Sequence, residues 1–153
     1  MSRDTCSFCR GMAQYRSYAS NAESMHAGLL VADLPASYAI LSIDQFYRGY
    51  TVVLAKTHAT ELFHLPQDEA DQYLRDMQAI AKAIADAFAP RKMNYELLGN
   101  TVPHLHWHLI PRYGWDPNPT RPVWEYQHQP VLLDSDSYAE LAREIRARLT
   151  PRA

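Results

Sequence analysis

Glycine and cysteine are scarce in this 153-residue chain, with five of one and two of the other, and neither charge sign dominates. With so few cysteines, a disulfide scaffold of the small secreted type is excluded. The formal net charge of −2 leaves no basic surface dedicated to coating DNA or RNA, although a local site can still hold a small anion. No apolar run approaches membrane-spanning length, and Met1-Ser2-Arg3-Asp4-Thr5-Cys6 lacks the apolar stretch of a secretory leader, so a cytoplasmic location is expected. Internal repeats, low-complexity tracts and long linkers are absent too. With 47% hydrophobic and 21% charged residues, the composition is that of one globular domain.

Short runs rich in aliphatic, β-branched or aromatic residues occur at Gly28–Ala32, Tyr38–Ile43 and Thr51–Ala55, and read as successive strands. Leu65-Pro66-Gln67-Asp68-Glu69 then has the proline and early acids of a helix entry. Leu74, Met77, Ile80, Ala81, Ile84 and Phe88 follow at three- and four-residue steps, which predicts a long helix over Gln67–Phe88 with one apolar face. Asn94–Leu98 and His104–Ile110 return to strand-like composition. Ser137 and Glu140 fit a capping box for a final helix over residues 136–149, with Leu141, Ile145 and Leu149 on its stripe. The expected organisation is an N-terminal Cys-x-x-Cys segment (1–27), a core (28–112), a proline- and aromatic-rich loop (111–130) and the last helix. Five prolines with Tyr113, Trp115, Trp124 and Tyr126 make that loop a packed one. The fold class implied is α+β, helices covering one face of a mainly antiparallel sheet.

His104-Leu105-His106-Trp107-His108 is the feature that carries chemistry. On a strand, alternation puts the three imidazoles on one face, with Leu105, Trp107 and Leu109 directed to the core. Histidine suits proton transfer, nucleophilic attack and metal binding near neutral pH, and spacing alone does not separate catalysis from a metal site. Cys6 and Cys9 are likewise a metal half-site or a redox pair. His26, His64 and His128 read as ordinary histidines.

Asn100 to Arg112 resembles the signature of the histidine-triad (HIT) superfamily, and Gly49–His58, continuing to Glu61-Leu62, is similar to its Lys-x-His segment. That resemblance implies a HIT-like domain, homodimeric, acting on a small nucleotide. It implies a hydrolase attacking an α-phosphate with His106 as covalent nucleophile, while His108 faces the phosphate oxygens and can assist the leaving group. Histidine at the third triad position points toward the hydrolase branches, and the segment around Asn94 and Trp107 toward diadenosine-tetraphosphate-hydrolase-like members. By the same resemblance Asn100 reaches the phosphates, Asp44 accepts from the ribose and Asn94 approaches the leaving group. The loop Asp44–Gly49 is shorter than the family's and lacks its prolines. Likeness to the uridylyltransferase branch implies structural zinc on Cys6, Cys9, His58 and His104. The competing readings are a nucleotide-binding scaffold with little turnover and a metalloenzyme using the histidine strand.

Overall fold

The computed structural model describes residues 3–18 and 27–149, with the backbone alone described over 13–18. His26 lies outside them. Five strands form one antiparallel sheet: β1 (Leu30–Asp33), β2 (Ser37–Leu41), β3 (Thr51–Ala55), β4 (Lys92–Glu96) and β5 (His106–Arg112), in the order β1-β2-β3-β5-β4. Helix α1 (Ser7–Tyr18) precedes the sheet, α2 (Gln67–Phe88) links β3 to β4, and α3 (Ser135–Arg146) follows the long loop. This is the expected α+β architecture, and β3 and α2 match their sequence-derived bounds residue for residue.

The two faces of the sheet are built differently. Ala39, Leu41, Val53, Ala55, Leu109 and Met93 point to the face covered by α2 and α3, where they join Tyr73, Met77, Ile80, Ile84, Leu141 and Ile145 in the main core. On α2 the buried stripe passes through Tyr73, while Leu74, expected on the apolar face, is 45% exposed. Tyr73 lies four residues before Met77 and its hydroxyl reaches the Val53 carbonyl at 2.9 Å, a contact open to a tyrosine on that bearing. Asp76, also buried on α2, accepts from the Ala36 amide and the Ser37 hydroxyl, each at 2.9 Å, tying the β1–β2 turn to the helix. Helix α2 ends at Ala89 in the left-handed region (φ 45°, ψ 51°), ahead of Pro90, which disfavours continued helix in the residue before it.

The other boundaries move: the strands expected at Gly28–Ala32 and Tyr38–Ile43 are Leu30–Asp33 and Ser37–Leu41, the pair set by the Leu30–Ile40 and Asp33–Tyr38 register. The strand expected at Asn94–Leu98 is Lys92–Glu96, because Asn94 pairs with Ile110 and Glu96 with His108. The last helix begins at Ser135 under an Asp134 cap, whose carboxylate accepts from the Ser137 amide at 2.8 Å; Ser137 therefore lies inside the helix. Regular pairing in β5 starts at His106, not His104. The Leu105 amide donates to the Ala59 carbonyl (2.8 Å) and its carbonyl accepts from Ala55 (3.0 Å), so the segment before His106 follows the chain as it leaves β3.

Candidate active site

The opposite face of the sheet carries the site. His106 and His108 project from β5 beside Leu54 and Val52 of β3, while Trp107 and Leu109 turn toward the helices. His104, just before the strand, is fully buried. Its Nε2–H donates to the Ala55 carbonyl at 2.8 Å, because a carbonyl can only accept. Burial above all else holds its pKa below the ordinary histidine value. A neutral ring with hydrogen on Nε2 leaves a lone pair on Nδ1.

That lone pair meets three others. Cys6 Sγ and Cys9 Sγ each lie 3.5 Å from His104 Nδ1, Cys9 Sγ lies 3.3 Å from His58 Nδ1, and the two Nδ1 atoms are 3.1 Å apart. All four donor atoms fall within 4.8 Å of one another. Tetrahedral bonds of about 2.3 Å to sulfur and about 2.0–2.1 Å to nitrogen would separate donors by roughly 3.3–3.8 Å, so the set fits a metal ion. The four residues come from three places in the chain: the start of α1, the turn after β3 and the approach to β5. Burial and then the neighbouring Cys6 push the Cys9 thiol up to about 11, a direction that a cation among the sulfurs would reverse.

His106 is nearly buried, with 6% exposure. Its Nδ1–H donates to the His104 carbonyl at 2.6 Å, leaving the lone pair on Nε2. Phe8 of α1 stands edge-on to both rings, with centroids 4.9 Å from His106 and 5.9 Å from His104. The Cys-x-x-Cys spacing signalled two ligands, but nothing in it announced that the residue between would wall the second histidine.

His108 meets His106 edge-to-face at 4.7 Å and Trp124 at 5.4 Å. Burial first, then His106, pushes its pKa down to about 4, so it is neutral near pH 7. Its Nδ1 lies 2.6 Å from the hydroxyl of Tyr50, the residue that leads into β3. Sequence reasoning missed Tyr50, which stands between Gly49 and the strand expected at Thr51–Ala55. The turn before it depends on Gly49 (φ 87°), where a Cβ would stand 2.8 Å from the Phe88 ring.

Beside Tyr50 lies a cavity of about 150 Å³ lined by Asp44, Phe46, Ile110, Val123, Trp124 and His128, among others. Asp44 Oδ1 accepts from the amides of Phe46 and Val131, both at 3.0 Å, and Oδ2 lies 3.6 Å from His128 Nε2. Thus the turn-capping role and a place in the cavity wall coexist. His128, first read as ordinary, stacks on Phe46 at 3.9 Å. The proline-rich loop packs back here through buried Arg112, which pairs with Asp116 and donates to the carbonyls of Asn118 and Arg121. Arg112 also holds the Asn94 side-chain oxygen. Asn100 is exposed on the β4–β5 loop, and the structure does not bring it into hydrogen-bonding contact with the histidines.

The HIT domain family matches residues 26–115, more than half of the chain, and the chain belongs to that family. It is 34% identical over 99 residues to "Protein hit" of Bacillus subtilis (strain 168), covering 56% of this chain and 68% of that protein. The adenosine 5'-monophosphoramidase HNT1 of Saccharomyces cerevisiae (strain ATCC 204508 / S288c) is 28% identical over 126 residues, 74% of this chain and 69% of that one. Among solved structures, a histidine triad protein of Bradyrhizobium japonicum superposes with a TM-score of 0.69 at 26% identity, over 79% of this chain and 90% of its own.

Proposed function

We propose that this protein is a nucleotide hydrolase that cleaves at the α-phosphate of a nucleoside phosphoanhydride, phosphoramidate or dinucleoside polyphosphate through a nucleotidyl-His106 intermediate. The observation that carries the reading is the 2.6 Å bond from His106 Nδ1 to the His104 carbonyl. It fixes the ring with hydrogen on Nδ1, so that Nε2 is the nitrogen presented for attack. The bond from Nε2 to phosphorus forms as the bond to the leaving atom breaks and that atom keeps the electron pair; where the leaving atom is a phosphoramidate nitrogen, it takes a proton from solvent as it departs. Positive charge then spread over the ring is shared with the His104 carbonyl through Nδ1–H. Water next supplies oxygen to phosphorus, the P–N bond breaks and its pair returns to Nε2. Nucleoside monophosphate leaves, and the water's surplus proton passes to solvent.

His108 lies next to the nucleophile and faces the non-bridging oxygens in this reading. The aromatic cavity suits a nucleoside, with Asp44 taking ribose hydroxyls in place of His128. Asn94 keeps its amide NH₂ for the substrate while its oxygen is held by Arg112. Asn100, exposed on the loop, is free to meet phosphate. The HNT1 likeness supports phosphoramidates among the substrates.

Zinc suits the Cys6, Cys9, His58 and His104 donors, two thiolates and two imidazoles with no position open to water. When bound it supplies a structural cross-link and Lewis-acid charge. The chain's own residues do the rest: Cys6 and Cys9 anchor α1, which places Phe8 against His106, and the His104 ring donates Nε2–H to Ala55 while its backbone carbonyl accepts from His106. A homodimer and a cytosolic location belong to the same reading; exposed Tyr95 and Leu98 at the β4 edge support the first, and two free thiols the second.

The decisive experiment incubates the protein with a panel of adenosine and guanosine conjugates, analyses products by mass spectrometry and quenches early turnovers. A nucleoside monophosphate product and an acid-labile nucleotide adduct on His106 are expected. Tight nucleotide binding with no product from any conjugate would make the protein a binding module, and an adduct elsewhere would remove His106 from its role.

A further inference from the structure

Tyr50 and His108 share one hydrogen bond of 2.6 Å, and its direction decides which nitrogen of His108 faces the substrate. Two arrangements are conceivable. If His108 carried hydrogen on Nδ1, it would donate to the phenol oxygen, and the Tyr50 hydroxyl hydrogen would need another acceptor. Among the described residues that hydroxyl has His108 Nδ1 as its hydrogen-bond partner and no other. A phenol half-buried in a protein gives its hydrogen to an available acceptor. Hydrogen therefore runs from Tyr50 to Nδ1.

We propose that Tyr50 is a positioning residue: its hydroxyl donates to His108 Nδ1 and locks the neutral ring with hydrogen on Nε2, so that the third triad histidine serves as a hydrogen-bond donor to phosphoryl oxygen. This deepens the hydrolase reading and rests on it. The groups around the pair keep both partners in these states. Burial and the carboxylates of Glu96 and Asp44 raise the Tyr50 pKa, so the phenol keeps its proton. Glu96 is the cross-strand partner of His108 on β4 and accepts from the Trp124 indole N–H, while His108 has the Trp124 ring against one side and the His106 ring against another. His108 is neutral, for the reasons given above. A neutral donor with a protonated phenol behind it moves no proton of its own. It stabilises charge on the phosphoryl oxygens as the P–N bond forms, and an anionic phosphate leaving group departs with its electron pair unassisted by His108.

The arrangement follows from register. Tyr50 precedes β3 by one residue, and Val52 pairs with His108 across the β3–β5 ladder. Alternation therefore places the side chains of residues 50, 52 and 54 on the face of His106 and His108. Gly49 allows the chain to enter that face at a sharp angle.

The test reads the tautomer directly. Two-bond proton–nitrogen correlation spectra of the ¹⁵N-labelled full chain, with His108 assigned by its loss in His108→Asn, report which ring nitrogen carries hydrogen. The wild type should show His108 as the Nε2–H tautomer at pH 7, and Tyr50→Phe should convert it to a mixture of tautomers. On a turned-over nucleotide conjugate, Tyr50→Phe should lower kcat on the order of tenfold while KM changes little, the usual scale for removing a partner that orients a functional group. An Nδ1–H tautomer in the wild type, needing no variant at all, overturns the proposal. So does an unchanged His108 tautomer in folded Tyr50→Phe. A tautomer that shifts in a protein that hydrolyses no conjugate leaves the positioning role standing and removes the hydrolase reading instead.

Discussion

His104 and His108 are four residues apart, identical in chemistry and both kept neutral by burial, yet they present opposite nitrogens to their surroundings. His104 spends Nε2–H on the Ala55 carbonyl and turns the Nδ1 lone pair to two sulfurs and a second imidazole. His108 accepts at Nδ1 from Tyr50 and turns Nε2–H outward. In the proposed reading one end of the row is a donor set suited to a cation, and the other a hydrogen-bond donor suited to an anion. Between them His106 has its Nδ1 tied to a carbonyl and its Nε2 lone pair free to attack. A repeated residue type thus offers three different faces, on which the proposed division of tasks rests, because each ring's second nitrogen meets a different partner.

The strongest way to break this comparison is to remove the centre. Replacing His106 with Ala should reduce turnover of a nucleotide conjugate on the order of a thousandfold or more, with fold and metal content retained. Steady-state kinetics with circular dichroism checks this; near wild-type turnover would mean that another group attacks.

Separating the two ends comes next. In Cys6→Ser/Cys9→Ser the bound metal measured by elemental analysis should disappear, and the melting temperature should fall by roughly 5–10 °C. The rate of the chemical step per folded molecule should change far less, because the phosphate end keeps His106, His108 and Tyr50. Equal losses of stability and chemistry would show that the cluster shapes the reaction itself.

Acid should act on the phosphate end through His108. Its pKa falls from the ordinary 6.5 to about 4 on folding, so between these values the unfolded chain binds the extra proton. The stabilising contribution is complete above pH 6.5 and is lost as pH falls toward 4. Urea titrations across this range should show stability decreasing with acid, and the part owed to His108 should vanish in His108→Asn.

The smallest effect belongs to a control on the other face. Asp134→Ala removes the cap of α3 and should lower the melting temperature slightly, with metal content and turnover unchanged. Coupling to either would mean that the helix-covered face transmits strain through the sheet.

Much of this arrangement was legible from residues alone. Apolar spacing located α2, composition located β3, and family resemblance in the Cys-x-x-Cys, Lys-x-His and triad segments named the four donors that the fold gathers. Leu74 misled because three-residue spacing from Met77 fits an apolar stripe as well as the four-residue spacing of Tyr73, and a packing partner chooses between them. The capping box at Ser137 misled for a similar reason, since Asp134 three residues earlier makes the same kind of bond to its amide.

Periodicity and motif spacing are properties of neighbouring residues, so the sequence by itself determined the α+β class, the long helix and the row of imidazoles. Tertiary structure alone decided what each imidazole meets. His104 takes its tautomer from a carbonyl 49 positions away, and His108 meets a phenol 58 positions away. Phe8 reaches His106 because α1 folds over the sheet. A proton's place on a ring depends on which donor or acceptor stands within about 3 Å, and that distance exists only once the strands have paired and the helices have packed.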